Sequence, residues 1–177
     1  MLELIYETHS TTIHNEQGLA AGWLPGELSG AGRGQAVELG ARRRDADAVF
    51  SSDLGRALET VAIAFGGSDL PVFYDWRLRE CDYGVLNGAP AGELEAAKHV
   101  DVPYPGGESY RDVVARVASF LDDLQARWDG KRVLVVSHAA PRWALQHLLE
   151  GTPLELLVGA PFDWRPGWEF RLSPPEA

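Results

Sequence analysis

The sequence predicts an α/β protein, a three-layer α/β/α sandwich with a mostly parallel central sheet, and three observations predict it. Two apolar runs far apart in the chain, Leu2-Glu3-Leu4-Ile5-Tyr6-Glu7-Thr8 and Val133-Leu134-Val135-Val136-Ser137, each run into a histidine, His9 and His138. Short apolar runs are how buried parallel strands read. Between them, strand-like and helix-like segments alternate, which argues for parallel strands covered by helices on both faces. At 177 residues with 45% apolar side chains, the chain can bury a proper core, and no linker divides it. Residues 1–177 are therefore expected to form a single domain.

Taken in order, residues 2–7 read as a strand and 13–22 as irregular or a short helix. Residues 31–44 look helical, and 47–51 make the next strand. A helix fits 54–65, where Leu54, Leu58, Val61, Ala62 and Phe65 recur at helical spacing, with Ser52-Asp53 as its expected cap. A short strand at 71–74 precedes a turn-rich stretch from 82 to 92. The strongest helix spans 107–128: Val113, Val114, Val117, Phe120, Leu121, Leu124 and Trp128 form an apolar stripe, and Asp129-Gly130 stops it. The strand at 132–137, a helix at 141–150 and a strand near 168–172 close the pattern. The tail Pro174-Pro175-Glu176-Ala177 is expected to fray.

Charge and composition exclude several classes. The net charge is −10, with 26 acidic against 16 basic residues, a balance that repels nucleic acid and anionic membranes. No run of about eighteen apolar residues suggests a membrane span, and no basic region precedes an apolar stretch at the N-terminus as in a secretory signal. The single Cys81 cannot form an internal disulfide and fits a reducing compartment, so a cytoplasmic location is expected. Arg42-Arg43-Arg44, the only basic run, reads as a solvated helix end, where cations suit the carbonyl terminus.

In open α/β sheets the ligand site lies just past the carboxyl ends of the strands, so His9 and His138 can meet at one rim. A metal site wants three or four ligands with a close pair among them; His9 and His14, or His138 and His147, are too far apart in sequence, and no metal is expected. An imidazole nitrogen is also nucleophilic at neutral pH and can carry a phosphoryl group covalently. That chemistry needs cations and N–H donors around the phosphoryl oxygens and an acid for the leaving group. The chain supplies each type at a strand end or a helix start.

Six patches then resemble the histidine phosphatase superfamily, the phosphoglycerate mutase-like family. Residues 8–15, Thr-His-Ser-Thr-Thr-Ile-His-Asn, align with R-H-G-x-T-x-x-N; His9, Thr12 and Asn15 match, while Thr8 and Ser10 replace Arg and Gly. Leu28-Ser29 through Gly32 to Gln35-Ala36 matches L-[ST]-x-x-G-x-x-Q-A. Ser51-Ser52 through Arg56-Ala57 to Thr60 matches S-S-x-x-x-R-A-x-x-T. Arg77-Leu78-Arg79-Glu80 with Tyr83-Gly84 matches the proton-donor segment, and Pro105-Gly106-Gly107-Glu108-Ser109 a P-x-G-E-S element. Ser137-His138-Ala139-Ala140-Pro141-Arg142 resembles the S-H-G-G-x-x-R end of the last core strand.

The resemblance implies His9 as nucleophile, His138 as the second pocket imidazole and Glu80 as the proton donor that later activates water. It implies Arg56 and Asn15 as phosphate donors, with Thr8, Ser10 and Ala139 at the altered motif positions beside them. No cofactor is implied. Glu80 has a purely structural alternative, an ion pair with Arg77 or Arg79. Loss of the motif arginine at Thr8 removes a cation; a hydrogen bond to a charged group is worth roughly 1.5–3 kcal/mol, so phosphate binding or rate would fall about tenfold to 150-fold. Glu7 adds a carboxylate expected to weaken an anion pocket, and Ser10 is unfavourable if the turn needs a positive φ. Arg142 is the best candidate for a relocated cation, with Arg79 behind it.

The leading reading is a histidine-type acid phosphatase, a phosphomonoesterase acting on a small phosphorylated metabolite through phospho-His9. A mutase is disfavoured because residues 81–104, the 24 between Glu80 and Pro105, make a short lid. The reading from another class is a phosphate-ligand sensor or interaction module that kept the fold but lost activity with the motif arginine. The expected partner is a small-molecule phosphate ester, with a homodimer also open. Trp143, Trp164 and Trp168, with Phe162, form either a packing cluster or dimer contact, or a substrate wall near His138.

Overall fold

The computed structural model describes residues 1–173; the expected fraying of 174–177 lies outside the described residues. One sheet of five strands has the order β3-β2-β4-β1-β5. Its strands are β1 (Leu2–Thr8), β2 (Ala48–Ser51), β3 (Val72–Tyr74), β4 (Arg132–Ser137) and β5 (Trp168–Leu172). The β1–β4, β4–β2 and β2–β3 pairs are parallel, and β5 runs antiparallel to β1. The mostly parallel α/β sandwich that the alternation predicts is what forms.

Strand position follows composition. Val133, Leu134, Val135 and Val136 are wholly buried, as a central strand covered on both faces requires. In β5, Trp168, Phe170 and Leu172 are buried while Glu169 and Arg171 face water, the alternation of a half-covered edge strand. The helices α1 (Ile13–Glu16), α2 (Gly30–Arg42), α3 (Gly55–Phe65), α4 (Tyr110–Trp128), α5 (Ala139–Glu150) and α6 (Leu154–Val158) complete the order. On one face Leu2, Leu4, Tyr6, Val133 and Val135 pack with the apolar sides of α4 and α5. On the other, Ile5, Leu134 and Val136 pack with Leu39 of α2 and Val61 and Phe65 of α3.

Helix α4 shows how closely the local code is followed. Ser109 Oγ accepts from the Asp112 N–H while the Asp112 carboxylate accepts from the Ser109 N–H, a reciprocal capping box. Val113, Val117, Phe120 and Leu124 are buried beneath it, each contributing about 1.5–3 kcal/mol before entropy is charged. Phe120→Ala would cost roughly 3–5 kcal/mol. Gly130, at φ +76°, releases the chain after Asp129.

Several elements depart from expectation. Helix α5 starts at Ala139, two residues ahead of the predicted start, because Pro141 sits in the first turn, where its missing N–H costs nothing. Ser52-Asp53 does not cap α3: Leu54 is the N-cap and makes no side-chain capping bond. The short α6 and the 3₁₀ turns Trp76–Leu78, Gly84–Leu86, Ala91–Leu94 and Ala96–His99 carry too few residues to show a period. Among the described residues, no helix is long and apolar enough to cross a membrane.

Candidate active site

Register brings the two histidines together. Thr8 pairs with Ser137 across the parallel β1–β4 ladder, and the His9 N–H donates to the Ser137 carbonyl at 2.8 Å. Adjacent strands lie about 4.8 Å apart, so the next residue on each is delivered to the same rim. The imidazoles of His9 and His138 stand 5.0 Å apart, centroid to centroid. Just past the end of β2 comes Ser52, whose hydroxyl shares a hydrogen bond of 2.7 Å with His138 Nε2. Tyr6 fixes the His138 backbone from below: its hydroxyl donates to the His138 carbonyl at 2.6 Å and accepts from the His138 N–H at 3.0 Å.

The proton on His9 is placed by its neighbour. Nδ1 lies 2.8 Å from the Ser10 carbonyl, which can only accept, so Nδ1 carries the hydrogen and Nε2 the lone pair. That lone pair accepts from Arg56 Nε at 3.2 Å. The remaining Arg56 nitrogens donate to the Leu24 and Gly22 carbonyls at 2.8 and 2.9 Å. Gly26, at φ +69°, lets the chain wrap this side chain; a Cβ there would stand 3.2 Å from Arg56 Cδ. Burial, then the Arg56 charge, pushes His9 down to about 3. The same two causes hold His138 well below the ordinary histidine range. Both shifts favour the neutral imidazoles, and among the described residues His138 Nδ1 is buried without a partner.

Glu80 lines the cavity beside His9 and does not form the ion pair that was its structural alternative. Its carboxylate accepts from the backbone N–H groups of Cys81 at 2.8 Å and of Ala139 and Ala140 at 3.1 Å each. It thus satisfies the open N-terminus of α5, whose N-cap His138 provides no side-chain bond. The expected pairing with Arg77 or Arg79 does not occur. Arg77 is taken by Asp75 and Asp123. Arg79 grips Asp53 with two bonds of 2.7 Å and stacks on Trp23, so it is not a relocated cation either.

Sequence reading missed the residue that holds this segment. Arg116 of α4 is buried and donates to the carbonyls of Arg77, Arg79 and Glu80 at 2.7–2.9 Å, while Glu108 pairs with its other edge. An arginine beside the valines of an apolar helix stripe was the available signal.

A cavity of about 560 Å³ opens in front of His9. Thr8, Ser10, Asn15, Glu80 and Ala139 line it with His9; Gln35, Glu38, Leu39 and Arg42 of α2 form one wall, and Phe162 and Trp164 another. Asn15 Oδ1 accepts from the N–H and hydroxyl of Thr12, and its amide NH₂ makes no hydrogen bond among the described residues. Arg56 and His138 stand behind His9 rather than in the wall. Arg142 does not reach the lining: its guanidinium stacks 4.5 Å over Trp168 and 5.6 Å over Phe162, with Nε buried and unpartnered.

Four further expectations need correction. Arg42 and Arg43 are not a solvated helix end: both bind the buried Glu7 carboxylate, at 3.0 and 2.8 Å. Glu7 therefore does not deplete the site of positive charge, since two guanidinium groups face one carboxylate. Ser10 is not strained, because Glu95 is the only non-glycine with positive φ among the described residues. The tryptophans do not act together: Trp143 packs on Tyr110, Trp168 on Tyr6, and only Trp164 joins Phe162 at the cavity. Among the described residues, no group of three or more His, Cys, Asp or Glu side chains could hold a metal ion.

The sequence profile of the histidine phosphatase superfamily (branch 1) matches residues 8–163. The 2,3-bisphosphoglycerate-dependent phosphoglycerate mutase of Methylobacterium sp. (strain 4-46) is 33% identical, covering 92% of this chain and 90% of its own. Among solved structures, YhfR of Bacillus stearothermophilus superposes with a TM-score of 0.86 at 28% identity, over 98% of this chain and 92% of that one. A mycobacterial glucosyl-3-phosphoglycerate phosphatase superposes with a TM-score of 0.77 at 30% identity, over 88% and 85% of the two chains.

Proposed function

The chain belongs to the histidine phosphatase superfamily, and from that premise we propose that it is a phosphomonoesterase that hydrolyses a small phosphorylated metabolite through phospho-His9. One observation carries the reading: a neutral His9, its lone pair placed on Nε2 by the Ser10 carbonyl, shares a cavity with the Glu80 carboxylate. A nucleophile and an acid–base group facing one space are what a two-step phosphoryl transfer needs.

In the first step, Nε2 of His9 attacks phosphorus, the P–O bond to the leaving group breaks, and protonated Glu80 gives its proton to the departing oxygen. In the second, Glu80 takes a proton from water, the water oxygen bonds to phosphorus, and the P–N bond breaks to return neutral His9 and inorganic phosphate. Arg56 already touches Nε2, so phosphoryl oxygens arriving there meet its guanidinium as charge builds. The Asn15 amide and the hydroxyls of Thr8 and Ser10 add neutral donors, and Ala139 opens the wall on the α5 side. His138, behind His9, donates as the phosphoryl group settles, and Arg142 contributes through its field rather than by contact. A cytoplasmic enzyme, as a monomer or homodimer, fits this reading.

The test is phosphate release from a panel of phosphomonoesters by the wild type beside His9→Ala. Turnover lost in the variant supports the reading; no turnover above the variant's background overturns it in favour of a sensor that binds esters without cleaving them. A mutase is the second reading, favoured by the printed activity of the relative at 33% identity. It is opposed by the short 81–104 segment and the open cavity in front of His9. Incubation of 3-phosphoglycerate with 2,3-bisphosphoglycerate separates the two: isomer exchange without phosphate release would favour the mutase.

A further inference from the structure

The cavity is larger than the proposed chemistry needs. About 560 Å³ falls within the roughly 300–1,000 Å³ of small-molecule sites, more than a phosphoryl group alone fills. The excess lies along α2. Gln35, Glu38, Leu39 and Arg42 stand at i, i+3, i+4 and i+7, so they share one helix face, about 10 Å long at 1.5 Å per residue. Its near end is fixed, because Gln35 Oε1 accepts from the N–H and hydroxyl of Thr11 at 3.0 and 2.9 Å.

The far end carries two opposite charges that do not neutralise each other. Arg42 spends Nε and Nη2 on Glu7, and among the described residues its Nη1 has no hydrogen-bond partner. Glu38, one turn earlier on the same face, forms no ion pair among the described residues, with Arg42 or any other cation. The facing wall is apolar and exposed: Phe162 and Trp164 keep 59% and 60% of their surface open to water. Their segment is pinned at both ends. Arg43 Nη2 donates to the Pro166 carbonyl at 2.7 Å, and the Arg142 guanidinium stacks on Phe162.

We propose that this half of the cavity is a leaving-group subsite for a phosphate monoester with a flat, unsaturated body and a zwitterionic end. The proposal rests on the phosphomonoesterase reading. Phe162 and Trp164 cover the flat body, which removes apolar surface from water on both partners. A carboxylate at the end of the ester binds Arg42 Nη1, and an ammonium group binds Glu38. An ester with only one of these charges leaves the other wall residue without a counter-ion, which is how the pair discriminates.

The experiment compares four aryl esters: O-phospho-L-tyrosine, its analogue lacking the amino group, O-phosphotyramine, which lacks the carboxylate, and phenyl phosphate. The wild type is expected to prefer O-phospho-L-tyrosine. The readout is the ratio of kcat/KM for the carboxylate-only ester to that for O-phosphotyramine. Arg42→Gln is expected to lower this ratio at least about tenfold and Glu38→Gln to raise it by a similar factor, as losing a charged hydrogen bond implies. Trp164→Ala is expected to lower kcat/KM for all four aryl esters relative to glycerol 3-phosphate. A ratio unmoved by both charge variants, or no preference for O-phospho-L-tyrosine over phenyl phosphate, overturns the proposal. Because Arg42 also holds Glu7, Glu38→Gln decides alone if Arg42→Gln fails to fold. If the wild type cleaves no ester at all, the parent reading fails separately. Calorimetry with 4-(phosphonomethyl)-L-phenylalanine against benzylphosphonate then tests the subsite, and equal affinities overturn it.

Discussion

The two halves of the cavity are built in opposite ways. Around His9, polar atoms are tied down: Nδ1 to the Ser10 carbonyl, all three Arg56 nitrogens to His9 and two backbone carbonyls, and Glu80 to three backbone N–H groups. Their partners are the start of α5 together with backbone groups of the loops that hold Ser10, Gly22, Leu24 and Cys81. Along α2 and the 160–167 segment, Arg42 has a nitrogen and Glu38 a carboxylate without a partner among the described residues, and two large aromatics stand half in water. The groups proposed to do the chemistry have their hydrogen bonds saturated, whereas those proposed to select a ligand keep unused bonding capacity.

The sharpest way to break this comparison is at His9. His9→Ala is expected to lower phosphate release more than about 10³-fold, the scale on which loss of a covalent nucleophile is felt. A smaller loss would mean that the tightly held half does not carry the chemistry. Glu80→Gln comes next, with kcat expected to fall about 10²–10⁴-fold, measured in steady state. Glutamine keeps one oxygen for the N–H groups of α5, so a fall in melting temperature without the fall in kcat would make Glu80 a helix cap alone.

The remaining tests read stability. Glu7→Gln leaves two guanidinium groups without their carboxylate at the border between the halves, and is expected to cost roughly 1.5–3 kcal/mol by denaturant titration. The other stability test is in pH. His9 and His138 stay neutral in the fold while an unfolded histidine takes up a proton near pH 6.5, so the unfolded state binds more protons as pH falls. Stability is expected to decline from pH 6.5 toward 3, by about 1.4 kcal/mol per pH unit for each proton the fold refuses. A flat profile from pH 7 to 5 would show that the histidine pair is wetter than its packing indicates.

Much of the fold was readable because burial leaves a local signature. The apolar runs ending at His9 and His138, the stripe of α4 and the alternation in β5 each state which faces are dry, and the strands and helices follow. The patches around Arg56, Glu80 and Glu108 were readable only through their resemblance to the family. What Glu80 touches was not: its partners, Ala139 and Ala140, lie some sixty residues away and offer only backbone N–H groups, which every residue has. Arg42 and Arg43 read as a solvated helix end because their partner, Glu7, sits 35 and 36 residues earlier in a strand. Trp143, Trp164 and Trp168 read as one cluster because they are near in sequence, yet they face different neighbours.

By itself, then, the sequence determined the α/β layering and the delivery of two histidines to one rim, and its family resemblance named the residues proposed here for phosphoryl chemistry. Periodicity and strand-end position depend on nearby residues, so they survive in one dimension. Only the tertiary structure decided that Arg56 rests on the His9 lone pair, that Glu80 holds the start of α5, and that α2 offers Arg42 and Glu38 to a cavity walled by Phe162 and Trp164. Those pairings are set by how β1, β4 and β5 cross the helices in space, and by the desolvation cost that leaves each buried charge only the partners within reach.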